Sequence, residues 1–135
     1  MLELLAGVGA PFADLHARLW ETGAIPPRTL DLCRRRIATL LGRAVDGALP
    51  GPPPGVGATP GQIAALPAWP TAPAFSDDER AGLAFAEQYV LDPHGFSDAD
   101  LAGMEARFGA PGVAALALAA AVFEATARFA AAEVA

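Results

Sequence analysis

Signals for the starts of helices recur along this chain and constrain its fold more than any other feature. Residues 76–79 read Ser-Asp-Asp-Glu, a capping box in which the serine hydroxyl accepts from an orphan amide and the glutamate reaches back to the serine amide. Residues 59–62, Thr-Pro-Gly-Gln, repeat the pattern with proline at the first helical position, where its missing N–H is no loss. Residues 97–100, Ser-Asp-Ala-Asp, form a weaker version with acids facing the positive helix end. Local chemistry therefore starts at least three helices.

The rest of the chain is also typical of helices. Alanine, the strongest helix former, supplies 33 of the 135 residues, and no alternating strand pattern competes with it. The length fits a single domain, since about 150 residues per domain is usual, so we expect one domain over 1–135. The sequence predicts an all-α fold of about six helices, at 11–21, 27–46, 60–66, 76–91, 98–107 and 111–132.

One segment cannot be helical. Residues 48–58 read Ala-Leu-Pro-Gly-Pro-Pro-Pro-Gly-Val-Gly-Ala, and prolines remove amide donors and clash with preceding carbonyls. The sequence predicts a Pro/Gly-rich loop here, extended and stiff in its proline part.

Charge and hydropathy exclude several classes of protein. A net charge of -6 argues against nucleic acid binding, which needs a basic face. The apolar run 110–123 is shorter than the roughly 20 residues of a membrane span, so we interpret it as a buried helix and expect no membrane. Residues 1–10 have no positive region typical of a secretory signal, and we expect a cytoplasmic protein. A hydrophobic content of 53% predicts that some apolar surface is shared between subunits.

Three stretches, in order, are similar to one family. Residues 23–42 read Gly-Ala-Ile-Pro-Pro-Arg-Thr-Leu-Asp-Leu-Cys-Arg-Arg-Arg-Ile-Ala-Thr-Leu-Leu-Gly. Residues 69–87 read Trp-Pro-Thr-Ala-Pro-Ala-Phe-Ser-Asp-Asp-Glu-Arg-Ala-Gly-Leu-Ala-Phe-Ala-Glu, and 123–129 read Phe-Glu-Ala-Thr-Ala-Arg-Phe. Together they resemble the carboxymuconolactone decarboxylase and alkylhydroperoxidase D-like (AhpD-like) superfamily. The resemblance implies an AhpD-like helical bundle that forms a homo-oligomer, with the number of subunits left open.

The redox motif of that family does not match. AhpD-like enzymes carry Cys-x-x-Cys-x-x-x-His after the glycine, where a thiolate attacks the oxidant and the second cysteine resolves it. The resemblance places Arg43 and Asp46 at the two cysteine positions, Pro50 at the histidine and Asp31 at a proton-relay glutamate. We therefore expect no thiol peroxidase activity.

Two functions follow from that altered pocket. The first is a non-redox protein that binds a small anionic ligand or a partner. The alternative is a cofactor-free enzyme of the lactone decarboxylase or isomerase type, with Asp31 and Asp46 moving protons and Arg43 holding a substrate carboxylate. A purely structural ion-pair cluster of the same residues is a third interpretation. None of these requires a metal or cofactor.

Three further groups of residues have a structural interpretation. Cys33 lies on an apolar stripe and is expected in the core, since a peroxidatic thiol would need exposure and a low pKa. His16 and His94 are isolated and predict no metal site; His16, four residues before Trp20, is expected to pack. The arginines at 34–36 cover too wide an arc for all to be solvated, so at least one is expected to pair with an acid or an anion. The acids considered are Asp31, Glu79 and Glu124.

Overall fold

The computed structural model describes residues 9–43 and 49–134, and the side chains up to residue 129. This part of the chain is all-helical and contains no strand, as predicted. Short 3-10 turns follow the first, third and fourth helices. The five α-helices are α1 (Gly9–Arg18), α2 (Pro27–Leu40), α3 (Pro60–Ala65), α4 (Asp77–Leu91) and α5 (Asp98–Val134).

The predicted capping boxes are confirmed. The Thr59 hydroxyl accepts from the Gln62 amide at the start of α3, and the Ser76 hydroxyl accepts from the Glu79 amide at the start of α4. Both return bonds are present as well. The Gln62 side-chain amide also donates to the Glu79 carboxylate at 3.1 Å, so the two helix starts are joined. The weaker box at 97–100 forms in the same way.

Helix α2 ends earlier than predicted. It stops at Leu40 rather than at 46, because Gly42 takes a left-handed conformation with φ of 70°. The Gly42 amide then donates to the Thr39 carbonyl at 3.0 Å and the Arg43 amide to the Ala38 carbonyl at 2.7 Å. These two bonds are the Schellman motif, which satisfies the last carbonyls of a helix and prevents its continuation.

The two helices predicted at 98–107 and 111–132 are joined into α5. Gly109, with φ of 73° and ψ of 165°, is non-helical and places a kink between them. Pro111 follows the kink, where its missing amide hydrogen is no loss at the start of a new helical stretch. The break in α5 at Gly109 therefore coincides with the boundary predicted between the fifth and sixth helices.

Helix α2 lies at the centre and packs against α4 and α5. Its apolar face joins the main core cluster through Leu30, Cys33 and Ile37, each at most 2% exposed. Leu32, on another side of α2, belongs to a second core cluster, which it forms with residues of the α3–α4 connection and of α4, namely Leu66, Trp69, Phe75 and Leu83. The helix is thus covered on several sides.

The stretch Asp98–Phe129 of α5 is long and apolar enough, by length and composition alone, to cross a membrane. A core helix of a soluble protein has the same properties, and this helix packs against both α2 and α4. An ion pair lies near the end of this helix, with Arg128 Nε 3.0 Å from the Glu124 carboxylate.

Candidate functional site

Asp31 is a buried carboxylate on α2, with 1% of its surface exposed. One oxygen, Oδ1, accepts from Nε and a terminal nitrogen of Arg34, at 3.1 and 2.8 Å. The other, Oδ2, accepts from Arg35 Nε at 3.3 Å and from the Ala58 amide at 2.8 Å. A carboxylate has about four acceptor positions, so this one is fully engaged.

The three consecutive arginines separate into two groups. Arg34 and Arg35 both pair with Asp31, and the Arg34 guanidinium also lies over the Trp20 ring, 5.7 Å from its centroid. The predicted pairing with Asp31 is therefore confirmed. Arg36 points elsewhere and pairs with Glu87 of α4 at 2.6 Å, which is not one of the acids expected as partners.

The structure describes residues 49–58 of the Pro/Gly loop, which follow an irregular path to the start of α3. Its proline part is not extended as predicted, because the Val56 amide donates to the Pro53 carbonyl at 3.4 Å and closes a turn. Two side chains of α2 hold the peptide between Gly57 and Ala58 from both ends. Arg28 Nε donates to the Gly57 carbonyl at 2.9 Å, and the Ala58 amide donates to Asp31. The loop is thus bound to α2 through its backbone.

Two loop glycines permit this close approach. A Cβ atom at Gly57 would lie 2.7 Å from Asp31 Oδ2 and 2.9 Å from the Pro52 ring. A Cβ atom at Gly51 would lie 2.5 Å from a terminal nitrogen of Arg34. No larger residue fits either position without displacing the ion-pair cluster.

A groove of about 500 Å³, open to solvent, lies between α2 and the loop. Its charged lining consists of three guanidinium groups and one carboxylate, in a chain whose net charge is -6. A concave region with one excess sign of charge concentrates ions of the opposite sign. The α2 residues that line it are Arg28, Asp31, Arg34 and Arg35, and the loop side is lined mainly by Gly51, Pro52, Pro53, Pro54 and Gly57.

Two of these guanidinium groups retain hydrogen-bonding capacity. Arg28 and Arg35 each use only Nε, and the described residues supply no acceptor for their terminal nitrogens. They are seven residues apart, so they lie on the same face of α2 about 10 Å apart along its axis. Arg34 is different, since it is mostly buried and directed at Asp31 and Trp20. The groove therefore presents two forks that match an oxyanion.

The three sequence-predicted site residues have different positions. Asp31 lines the groove, but its acceptor positions are occupied, so it has no lone pair left for a substrate proton. Arg43 lies at the end of α2 beyond Gly42 and is not among the groove-lining residues. Asp46 lies outside the described residues. Arg28 also lines the groove and was not predicted from the sequence, although Arg28, Asp31 and Arg35 have the three- and four-residue spacing of one helix face.

Cys33 and His16 are both core residues, in agreement with their interpretation from the sequence. Burial raises the pKa of the Cys33 thiol to about 12, the opposite of what a reactive thiolate requires. His16 packs edge-on against Trp20 and Phe123. Burial, and then the charge of Arg34, lowers the pKa of His16 to about 4. Among the described residues, no group of three or more His, Cys, Asp or Glu side chains is arranged to hold a metal.

Comparison with known proteins gives no relative from which a function can be transferred. No family model, no curated protein and no solved structure matches this chain.

Proposed function

We propose that this protein binds a small organic anion in the groove between α2 and the Pro/Gly loop, without redox chemistry. The observation that carries the proposal is the pair of guanidinium forks on Arg28 and Arg35, which face one groove and retain unused donors. Arginine presents its donors in a planar fork that binds carboxylate or phosphate bidentately. The excess positive charge of the lining, within an acidic chain, supports the same conclusion.

The alternative function, a cofactor-free decarboxylase or isomerase, is less well supported. It needs a carboxylate that can take a proton from the substrate, and the four hydrogen bonds to Asp31 leave that residue as an anchor for the loop. We propose instead that Asp31 positions Arg34, Arg35 and the loop. The AhpD-like ancestry of the bundle is part of the proposal and is supported by the sequence resemblance.

We further infer that the protein functions as a homo-oligomer. A shallow apolar hollow between α1 and α5 is bordered by Leu15 and Leu118, which are 37% and 47% exposed. Exposed apolar residues that cluster on one face favour association. Light scattering on the purified protein should give a mass that is a multiple of 13.7 kDa, and a monomer at high concentration would contradict this part of the proposal.

Thermal unfolding with added anions tests the binding proposal. A ligand at ten times its Kd stabilises the native state by about 1.4 kcal/mol, which raises Tm by a few degrees. We expect this rise with acetate or inorganic phosphate relative to sodium chloride at equal ionic strength. The double variant Arg28→Gln/Arg35→Gln should lose it.

A matched control removes the same charge elsewhere. Arg107 and Arg128 lie on α5, outside the groove, and pair with Asp78 and Glu124. The variant Arg107→Gln/Arg128→Gln should therefore keep the full rise in Tm on addition of anions. Equal loss of the anion response in both double variants would show that only net charge matters, and the groove would not be the site.

A further inference from the structure

The groove has two chemically different walls. One is the α2 face with the Arg28 and Arg35 guanidinium groups. The other is formed by three consecutive prolines, Pro52, Pro53 and Pro54, the last two of which are exposed. Apart from proline rings and Ala58, the lining carries no hydrophobic side chain.

Both walls consist of groups that pack well on aromatic faces. A planar guanidinium stacks on a ring, because the negative face of the ring attracts the cation. Proline rings are recognised by aromatic side chains in many peptide-binding domains, and here Pro53 and Pro54 present theirs from a turn. Here the protein supplies the prolines and the guanidinium groups, so the complementary ring has to come from the ligand.

We infer that the ligand is a small aromatic carboxylate, which deepens the proposed function and rests on it. Its carboxylate occupies one arginine fork, and its ring lies against the prolines and the second guanidinium. A carboxylate is planar like the fork and is coplanar with its ring in simple aryl acids, so the whole ligand is flat. The volume of about 500 Å³ is within the range of about 300–1,000 Å³ typical of small-molecule sites.

Titration of the unmodified protein with four probes tests this inference. Benzoate has both the ring and the charge, cyclohexanecarboxylate has the charge and similar size without a π face, and benzamide has the ring without the charge. Phenyl phosphate carries a different anionic head. Calorimetry should give a Kd for benzoate about two- to fivefold lower than for cyclohexanecarboxylate, the size expected of an exposed cation–π contact. Benzamide should bind at least tenfold more weakly.

The outcomes separate this inference from the proposed function. Equal Kd values for benzoate and cyclohexanecarboxylate would overturn the aromatic preference and leave anion binding in place. Tighter binding of phenyl phosphate than of benzoate would overturn the carboxylate class. Absence of binding by every anion, phosphate and acetate included, would overturn both proposals.

A variant of the proline wall adds a second test. Pro53→Ala/Pro54→Ala should raise the Kd for benzoate towards that of cyclohexanecarboxylate, since only the guanidinium contact to the ring is then left, and should leave the Kd for acetate unchanged. Pro73→Ala, at an exposed proline before α4 that does not line the groove, should change neither. An unchanged Kd for benzoate in the wall variant would contradict the inference, with Tm of the unliganded protein used to verify folding.

Discussion

Replacement of Asp31 by asparagine removes a buried negative charge and changes the size of the side chain very little. The amide oxygen can still accept about two hydrogen bonds, against the four that the carboxylate accepts. The new amide nitrogen is a donor and would face N–H groups. The substitution therefore weakens the hydrogen bond from the Ala58 amide, which anchors the loop, and removes the charged partner of Arg34 and Arg35.

The expected loss of stability follows from the burial of the partners. Arg34 is only 11% exposed and would be left as a buried charge, whereas Arg35, at 26%, can turn towards water. Removal of one member of a buried ion pair costs about 3–5 kcal/mol, and the freedom of Arg35 favours the lower end. We expect Asp31→Asn to lower the free energy of unfolding by about 3 kcal/mol, of a total of about 5–15 kcal/mol. This corresponds to a decrease in Tm of about 10 °C.

Urea unfolding followed by circular dichroism measures this loss. The matched control is Asp14→Asn, because Asp14 also pairs with an arginine of the same helical spacing, Arg18, at 2.8 Å. Both of those side chains are more than 60% exposed, and exposed pairs contribute little, so the urea midpoint should not move. A midpoint for Asp31→Asn equal to that of the unmodified protein, or an equal loss in both variants, would refute the reasoning.

Three further predictions concern other parts of the chain. Gly57→Ala should destabilise the protein, because the added Cβ would clash with Asp31. Gly103→Ala lies in open space on α5 and should stabilise the protein by about 0.5–1 kcal/mol. Urea unfolding of both variants measures these changes, and equal effects would contradict the prediction. The pKa of His16 is lowered to about 4 in the folded protein, so as the pH falls below 6.5 this histidine is protonated in the unfolded state but not in the folded one. The free energy of unfolding should therefore fall by up to about 3 kcal/mol between pH 6.5 and 4. His16→Phe should have a flatter stability profile over this range, and an identical profile would argue against the assignment. The Cys33 thiol should not react with a thiol reagent at pH 8 until urea unfolds the chain, and rapid modification of the native protein would contradict its burial.

The helix starts were predictable because their chemistry is local. Each capping box closes hydrogen bonds between residues three positions apart, so the sequence contains the whole motif. The signal that ends α2 is also local, because Gly42 takes the left-handed conformation typical of a residue just after a helix. The predicted helix ran past this glycine to residue 46. The break between the last two helical stretches was also local, because Gly109 and Pro111 mark it in the sequence.

The groove could not be predicted in the same way. Asp31 and Ala58 are 27 residues apart, and Arg36 and Glu87 are 51 apart, so both contacts depend on tertiary packing. The sequence indicated that Asp31 lies in a pocket and that the arginines pair internally. Which acid each arginine meets, and that the Pro/Gly loop forms the facing wall, depend on how α2 packs against the rest of the chain.

The attachment of the Pro/Gly loop through main-chain atoms has a consequence for engineering and divergence. The side chains of Pro53, Pro54 and Val56 are exposed and make no hydrogen bond or ion pair to α2. Substitutions at Pro53 and Pro54, which line the groove, would change the chemistry of one wall and leave the peptide that anchors the loop in place, whereas Val56 does not line the groove. A library randomised at Pro53 and Pro54, with Arg28 and Arg35 kept, would test whether the proposed anion site can be adapted to different ligands on one scaffold.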